Sequence, residues 1–287
     1  MITPFQKDDQ LLQDIRRADA SGQTFSLWWL GQSGFLVKFC DHYLLFDPYL
    51  SDSLTQKYSE TDKPHVRMTE LVIDPRQLDF VQVVTSTHNH TDHLDGETLE
   101  ALLEVNPTMQ LVVAAANREF AAARAGVQKS RVSTVDVGGV VESGPFRIQA
   151  VPAAHEQIER DPGGRYRCIG LVVEFGEWCV YHSGDTIRYA GMKERLSQFA
   201  IDVAILPING RLPERKVPGN LWGHEAAQLA CDIGAGVVIP CHFEMFEFNT
   251  VDPGRFIECA ERLSQPFCVL RCGERWSSHA SSSGTQA

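Results

Sequence analysis

Apolar positions Phe5, Leu11, Leu12 and Ile15 recur among charged residues at near-helical spacing, and Ser21-Gly22 supplies a stop, which predicts an amphipathic helix over residues 4–20. The period then shortens. Apolar runs at 25–30, 35–39 and 43–46 are parted by Gly31-Gln32-Ser33-Gly34 and by Asp41-His42, both turn material, so three strands of an antiparallel meander are expected. Between Asp47 and Asp74 the pattern dissolves into polar, Pro-bearing sequence too long for a plain connection, and the stretch 48–73 is read as a functional loop or lid.

Beyond it the pattern alternates: strand 80–85, helix 97–105, strand 110–115, helix 117–125, strand 131–135. Strands return at 146–151, 169–175 and 178–181, with Gly176-Glu177 as a tight hairpin turn. Helix 192–199, strand 203–206, helix 225–233, strand 237–240, helix 253–263 and a closing strand near 268–271 complete the series. A meander followed by β/α alternation, twice over, predicts two sheets packed face to face with helices outside. No linker divides the halves, so residues 1–276 are read as one domain with helix 4–20 packed on it. The small, polar residues 277–287 are read as a disordered tail.

Composition narrows the class. At 43% apolar and 22% charged, 287 residues can bury a large core. The net charge of −11 would repel a phosphate backbone or an anionic membrane, so neither nucleic acid nor a membrane is the expected partner. No run approaches the roughly 20 apolar residues of a membrane span, and Lys7, Asp8 and Asp9 stand where a signal peptide needs an apolar stretch. A cytoplasmic location is expected. The eight cysteines contain no CxxC pair and are read as free thiols.

The chemistry concentrates in His88-Asn89-His90-Thr91-Asp92-His93, just past the predicted strand 80–85. Along an extended segment, residues two apart share a side, so His88 and His90 can offer nitrogens to one ion while Asp92 and His93 face a second position. Imidazole and carboxylate suit zinc, manganese and iron. One loop rarely completes a two-metal site, so further ligands are required at later strand ends. His155, Asp185 and His242 each follow an apolar strand there. Asp185 is the natural bridge, because a carboxylate offers two oxygens to two cations, and Gly184 lets the backbone turn tightly before it.

This constellation resembles the metallo-β-lactamase superfamily, whose signature is an HxHxDH run followed by a His, an Asp and a His at later strand ends. The resemblance implies an α/β fold, a four-layer αββα sandwich of two mixed sheets, and assigns Asp47 to an early Asp that supports the metal loop. Within the superfamily the chain is similar to the L-ascorbate 6-phosphate lactonase group and related metal-dependent hydrolases. The shared stretches are Trp28-Trp29-Leu30-Gly31, the run from His88 to Asp95, Tyr181-His182-Ser183-Gly184-Asp185, Ile201-Asp202-Val203-Ala204 and Val237-Val238-Ile239-Pro240, with Phe248-Asn249 and Asp252-Pro253 beyond. His155 departs from the lactonase pattern, and the chain is shorter. Both differences bear on the substrate and not on the metal.

The reading is hydrolysis by hydroxide on one or two divalent ions, zinc or manganese with iron admitted, held by His88, His90, Asp92, His93, His155, Asp185 and His242. The expected target is an ester or lactone of a small anionic, sugar-like molecule. Asp92 and Asp185 carry the catalysis, Asp92 orienting the water or shuttling its proton. Asn209, Arg211, His224 and Tyr189 are candidate substrate contacts, with Arg188, Arg215 and Lys216 lending a positive mouth. Phe243, Phe246 and Phe248 are read as core packing. Two alternatives stay open: cleavage of a small phosphodiester, and a metal-binding scaffold without turnover. A homo-oligomer is also left open.

Overall fold

The change of apolar period after residue 24 marks the entry into the first of two sheets. In the computed structural model, which describes residues 1–278, helix α1 (Asp8–Arg17) buries Leu11, Leu12 and Ile15. Strands β1 (Phe25–Trp29), β2 (Phe35–Phe39) and β3 (His42–Phe46) form the antiparallel meander. Helix α2 (Ser53–Lys57) interrupts the long loop. Strand β4 (Val83–Ser86), helix α3 (Gly96–Val105), strand β5 (Gln110–Ala114), helix α4 (Arg118–Arg124) and strand β6 (Val132–Val135) supply the alternation, with β3 to β6 mutually parallel.

The second sheet repeats the plan. Strands β7 (Val140–Ser143), β8 (Phe146–Pro152), β9 (Ile169–Phe175) and β10 (Trp178–His182) run antiparallel. Helix α5 (Met192–Leu196), strand β11 (Val203–Pro207), helix α6 (Gly223–Asp232) and strand β12 (Val237–Cys241) follow, with β10, β11 and β12 parallel. Helix α7 (Gly254–Arg262) and strand β13 (Arg275–Ser277) close the described chain. The strand orders are β13-β1-β2-β3-β4-β5-β6 and β12-β11-β10-β9-β8-β7.

The layering follows from alternation along single strands. On β1, Phe25, Leu27 and Trp29 enter the core between the sheets, whereas Trp28 joins the core beneath α1, α3 and α4. Strands covered on both faces carry apolar residues at almost every position, which is why β11 and β12 read as unbroken runs. Each fully buried Leu or Phe contributes roughly 1.5–3 kcal/mol. The result is the expected αββα sandwich.

Three expectations need correction. The N-terminal helix begins at Asp8 and not at residue 4, because Phe5 donates its N–H to Cys272 O and Lys7 is extended. Strand β7 was not anticipated: it is an edge strand, half-exposed along its length, with too little apolar content to announce itself. The run 268–271 is not a strand. The chain meets β12 at Val238, which bonds Pro266 O and Cys268 N, then crosses to the other sheet, where β13 pairs with β1. Gly273 makes that crossing, at φ +82, and a Cβ there would stand 2.0 Å from Gln6 O. Ser277 and Ser278 therefore belong to the fold, and the rest of the predicted tail lies outside the described residues.

Candidate metal centre

Strands β1, β3 and β4 point one way in the first sheet, as do β8, β10 and β12 in the second, so residues following them gather at one edge of the sandwich. His88 follows β4, His155 follows β8, Asp185 follows β10 and His242 follows β12. Such ends suit a site, since the strands are rigid and the loops beyond them are free to vary.

The structure brings all seven candidate ligands together. Ligand atoms of His88, His90 and His155 lie within 4.8 Å of one another, as do those of Asp92, His93 and His242. Asp185 stands between the groups: Oδ1 is 3.3 Å from His93 Nε2, and Oδ2 is 3.4 Å from His242 Nε2 and 3.5 Å from His155 Nε2. That is the placement of a bridge. Gly184, at φ +60, makes the turn, and a Cβ there would stand 2.6 Å from Thr87 Oγ1.

Outer contacts orient the rings. His93 Nδ1 lies 2.7 Å from Asp47 Oδ2, and Asp47 Oδ1 accepts the Thr87 N–H at 3.1 Å. His155 Nδ1 donates to Gly219 O at 3.1 Å, which leaves its Nε2 lone pair facing the cluster. His182, stacked on Phe46 at 4.9 Å, donates Nε2–H to Ser33 O and accepts the Gly184 N–H on Nδ1, holding the turn to Asp185.

The chemistry of the donor set tests whether cations fit. His88 Nε2, His93 Nε2 and Asp185 Oδ1 are buried with no hydrogen-bond partner among the described residues. Orphaned polar atoms at this density are costly unless an ion meets them. Burial, aided by neighbouring His93 and His90, pushes the His88 pKa well below the usual imidazole range. At His93 burial opposes the charged form, yet Asp185 and Asp92 hold its pKa well above that range; His242 is raised the same way, by Asp185 and Asp92, to about 9. Asp92 and Asp185, despite burial, are held below the usual carboxylate range, both chiefly by His93.

Without metal, then, two imidazolium groups neutralise two carboxylates, and a cation must displace those protons. Below about pH 9 the His242 proton competes, and the His93 proton competes with it, so metal affinity should rise with pH through this range. Calorimetric zinc titration in buffers of differing ionisation enthalpy is expected to register about two protons released at pH 7. Binding with no proton release would show that this charge assignment is wrong.

The cluster floors a cavity of about 340 Å³. Its walls come from places the sequence reading had not connected. The loop 48–73 contributes Leu54, Lys57, Tyr58 and His65, while Asn89, Thr91 and Arg124 form the opposite side with Val217, Pro218 and Asn220. His65 stacks on Tyr58 at 4.2 Å and meets Phe248 edge-on at 4.5 Å. Phe243 and Phe246 are buried in apolar cores as expected, and Phe246 also lines the cavity together with Phe248.

None of the four candidate substrate contacts lines this cavity. Arg211 donates two bonds to the Glu225 carboxylate, at 2.6 and 2.7 Å, because Glu225 caps α6 and waits beside it. Tyr189 donates to Pro152 O. Asn209 is buried, bonded to Asn220 and Asn249, which do reach the cavity. His224 lines a separate cavity of about 260 Å³ with Trp222 and Phe256. Arg188 is paired with Asp232, and Arg215 is spent on Asn209 O, Asn249 and Thr250 O. The wall cations are Lys57 and Arg124 instead.

A two-sheet sandwich carrying a His/Asp cluster at one edge is an arrangement shared by metal-dependent hydrolases. A family model for the beta-lactamase superfamily domain matches residues 42–243. A UPF0173 metal-dependent hydrolase of Metallosphaera sedula is 27% identical over 251 residues, covering 86% of this chain and 96% of the relative. Igni18, a metallo hydrolase of Ignicoccus hospitalis, superposes with a TM-score of 0.65 at 22% identity, covering 89% of this chain and 99% of that one. An isothiocyanate hydrolase from Delia radicum gut bacteria gives a TM-score of 0.70 at 17% identity, covering 89% and 99%. The chain belongs to the metallo-β-lactamase superfamily.

Proposed function

We propose that the protein hydrolyses an ester or lactone bond in a small anionic, sugar-like molecule. One observation carries the reading: two cations without carboxylate partners stand on the wall of the cavity above the cluster, in a protein of net charge −11. Lys57 rests against the Tyr58 ring at 5.1 Å and has no acidic group within salt-bridge reach among the described residues. Arg124 uses one nitrogen, Nη1, on Asn89 O, Thr91 Oγ1 and Leu94 O, and its charge is likewise unpaired. Leu54, Tyr58, Phe246 and Phe248 offer apolar faces to a ring, and Asn220 and Asn249 offer hydrogen bonds to hydroxyls.

His88, His90 and His155 would hold one divalent cation and Asp92, His93 and His242 a second, with Asp185 shared between them. Zinc, manganese and iron suit these ligands. When bound, such cations supply Lewis acidity that lowers the pKa of water from 15.7 toward about 7. Asp92 is the more open of the two carboxylates that line the cavity, its side chain 17% exposed against 3% for Asp185. It orients the attacking water and takes its proton. Lys57 and Arg124 hold the substrate anion, and the aromatic wall keeps bulk water from the scissile bond.

The same two cations suit a phosphodiester, so the test separates the chemistries. Protein loaded with zinc or manganese is assayed against a panel of neutral and anionic lactones and against bis(p-nitrophenyl) phosphate. Turnover confined to lactones is expected, with anionic members preferred, and Lys57→Ala should raise KM for those about tenfold while sparing neutral ones. Turnover of the phosphodiester alone would replace the proposal with the phosphodiesterase reading.

A further inference from the structure

The turn between β1 and β2 carries a side chain that the metal signature does not account for. Gln32 is 1% exposed, and its amide nitrogen lies 2.7 Å from Asp92 Oδ2 and 3.0 Å from His242 Nε2. Those two atoms are 3.5 Å apart and belong to the second cation position. The other end of the same amide, Oε1, is buried with no partner. The group therefore faces the centre with one end and satisfies nothing with the other.

The backbone of Gln32 is held as firmly as the side chain. Its φ is +50, a left-handed conformation that a non-glycine residue adopts only where its surroundings enforce it. Its carbonyl accepts the Trp29 Nε1–H and the His242 N–H, both at 3.0 Å. His242 is itself left-handed, at φ +63. The turn thus places Gln32 and His242 against each other through main chain and side chain alike.

The triangle of Gln32, Asp92 and His242 has the proportions of a coordination shell. Around a cation with bonds of about 2.1 Å, neighbouring ligand atoms stand about 3.0 Å apart in an octahedron and about 3.4 Å apart in a tetrahedron. The observed edges of 2.7, 3.0 and 3.5 Å fall about this range. A half-turn of the amide exchanges nitrogen for oxygen without moving anything else, presenting the carbonyl-type oxygen that zinc, manganese or iron accepts.

We propose that Gln32 is a further ligand of the second position, through Oε1, and that it makes the two positions unequal. Resting on the metal reading of the cluster, the proposal predicts which position a substitution weakens. Without metal the amide nitrogen donates to Asp92 Oδ2, and the amide oxygen completes the second position once a cation arrives.

The test is zinc titration of the full chain by calorimetry, with bound metal counted by elemental analysis, in wild type, Gln32→Ala and Gln32→Glu. Gln32→Ala should weaken the second binding event about tenfold or more and leave the first within about twofold. Gln32→Glu, which keeps an oxygen and adds charge, should bind the second zinc at least as tightly as wild type. Loss in both variants alike would show that the amide acts as a donor to Asp92, which overturns the ligand role. Gln32→Ala binding two zinc ions like wild type overturns it as well. Failure of wild type to take up any zinc would sink the metal reading along with it, and that result is distinguishable from the other two. Circular dichroism and thermal melting of each variant confirm that the backbone bonds of residue 32 survive.

Discussion

Removal of divalent cations by chelation and dialysis is expected to lower hydrolysis by at least about a thousandfold and the melting temperature by about 5–15 °C. The activity loss follows from the site: the two carboxylates of the cluster that line the cavity, Asp92 and Asp185, cannot by themselves make water a competent nucleophile at neutral pH. The stability loss has a separate origin. A ligand that binds only the folded state at 100 to 1,000 times its dissociation constant stabilises by about 2.7–4.1 kcal/mol. Each kcal/mol corresponds to about 2–4 °C in a domain of this size class. The buried, unpartnered His88 Nε2, His93 Nε2 and Asp185 Oδ1 are the atoms whose cost the cations relieve. Readdition of zinc or manganese should restore both properties. Full turnover in metal-free protein, verified by elemental analysis, would end the hydrolytic mechanism, and a melting temperature indifferent to metal would show that the cluster is already satisfied.

Asp47→Ala is the second large effect. Asp47 is fully buried at φ +37, receives Thr87 through both its N–H and its hydroxyl, and faces His93 Nδ1 at 2.7 Å. Its removal leaves a buried imidazole that Asp185 and Asp92 keep charged without its outer partner. Breaking such a buried pair from one side costs about 3–5 kcal/mol. Freeing the ring should also weaken metal binding about 10- to 100-fold, the usual consequence of losing an outer carboxylate from a ligating histidine. Urea unfolding of metal-free protein measures the first number, and zinc titration of folded variant measures the second. Retention of wild-type affinity would mean that the loop from His88 to His93 is positioned by its own backbone and not by Asp47.

The seven candidate ligands were legible in the sequence because they obey local rules. Four of them were sought in one run, His88 to His93, and the others at the ends of apolar strands, which are legible from a change of period. The substrate contacts obeyed no such rule. Arg211 follows β11 at the correct edge, but Glu225, fourteen positions later, is the capping residue of α6 and captures its guanidinium. Lys57 belongs to a segment with no readable pattern, and it lines the cavity where α2 is tethered: Ser53 donates to Asp95, the residue that caps α3, and Thr55 donates to His65 O. Gln32 read as turn material; an unusual residue between two glycines was its sole signal.

The amino-acid sequence by itself determined the class of fold, the order of the layers and the seven side chains able to hold cations, since periodicity and spacing along one segment carry that information. Tertiary structure alone decided which charges remain unpaired, which residues wall the cavity and where the closing strand pairs. Those outcomes depend on partners far away in the chain, such as Ser26 opposite Ser277 or Gln32 against His242. A contact of that range is set by how whole sheets pack, and no local pattern encodes it.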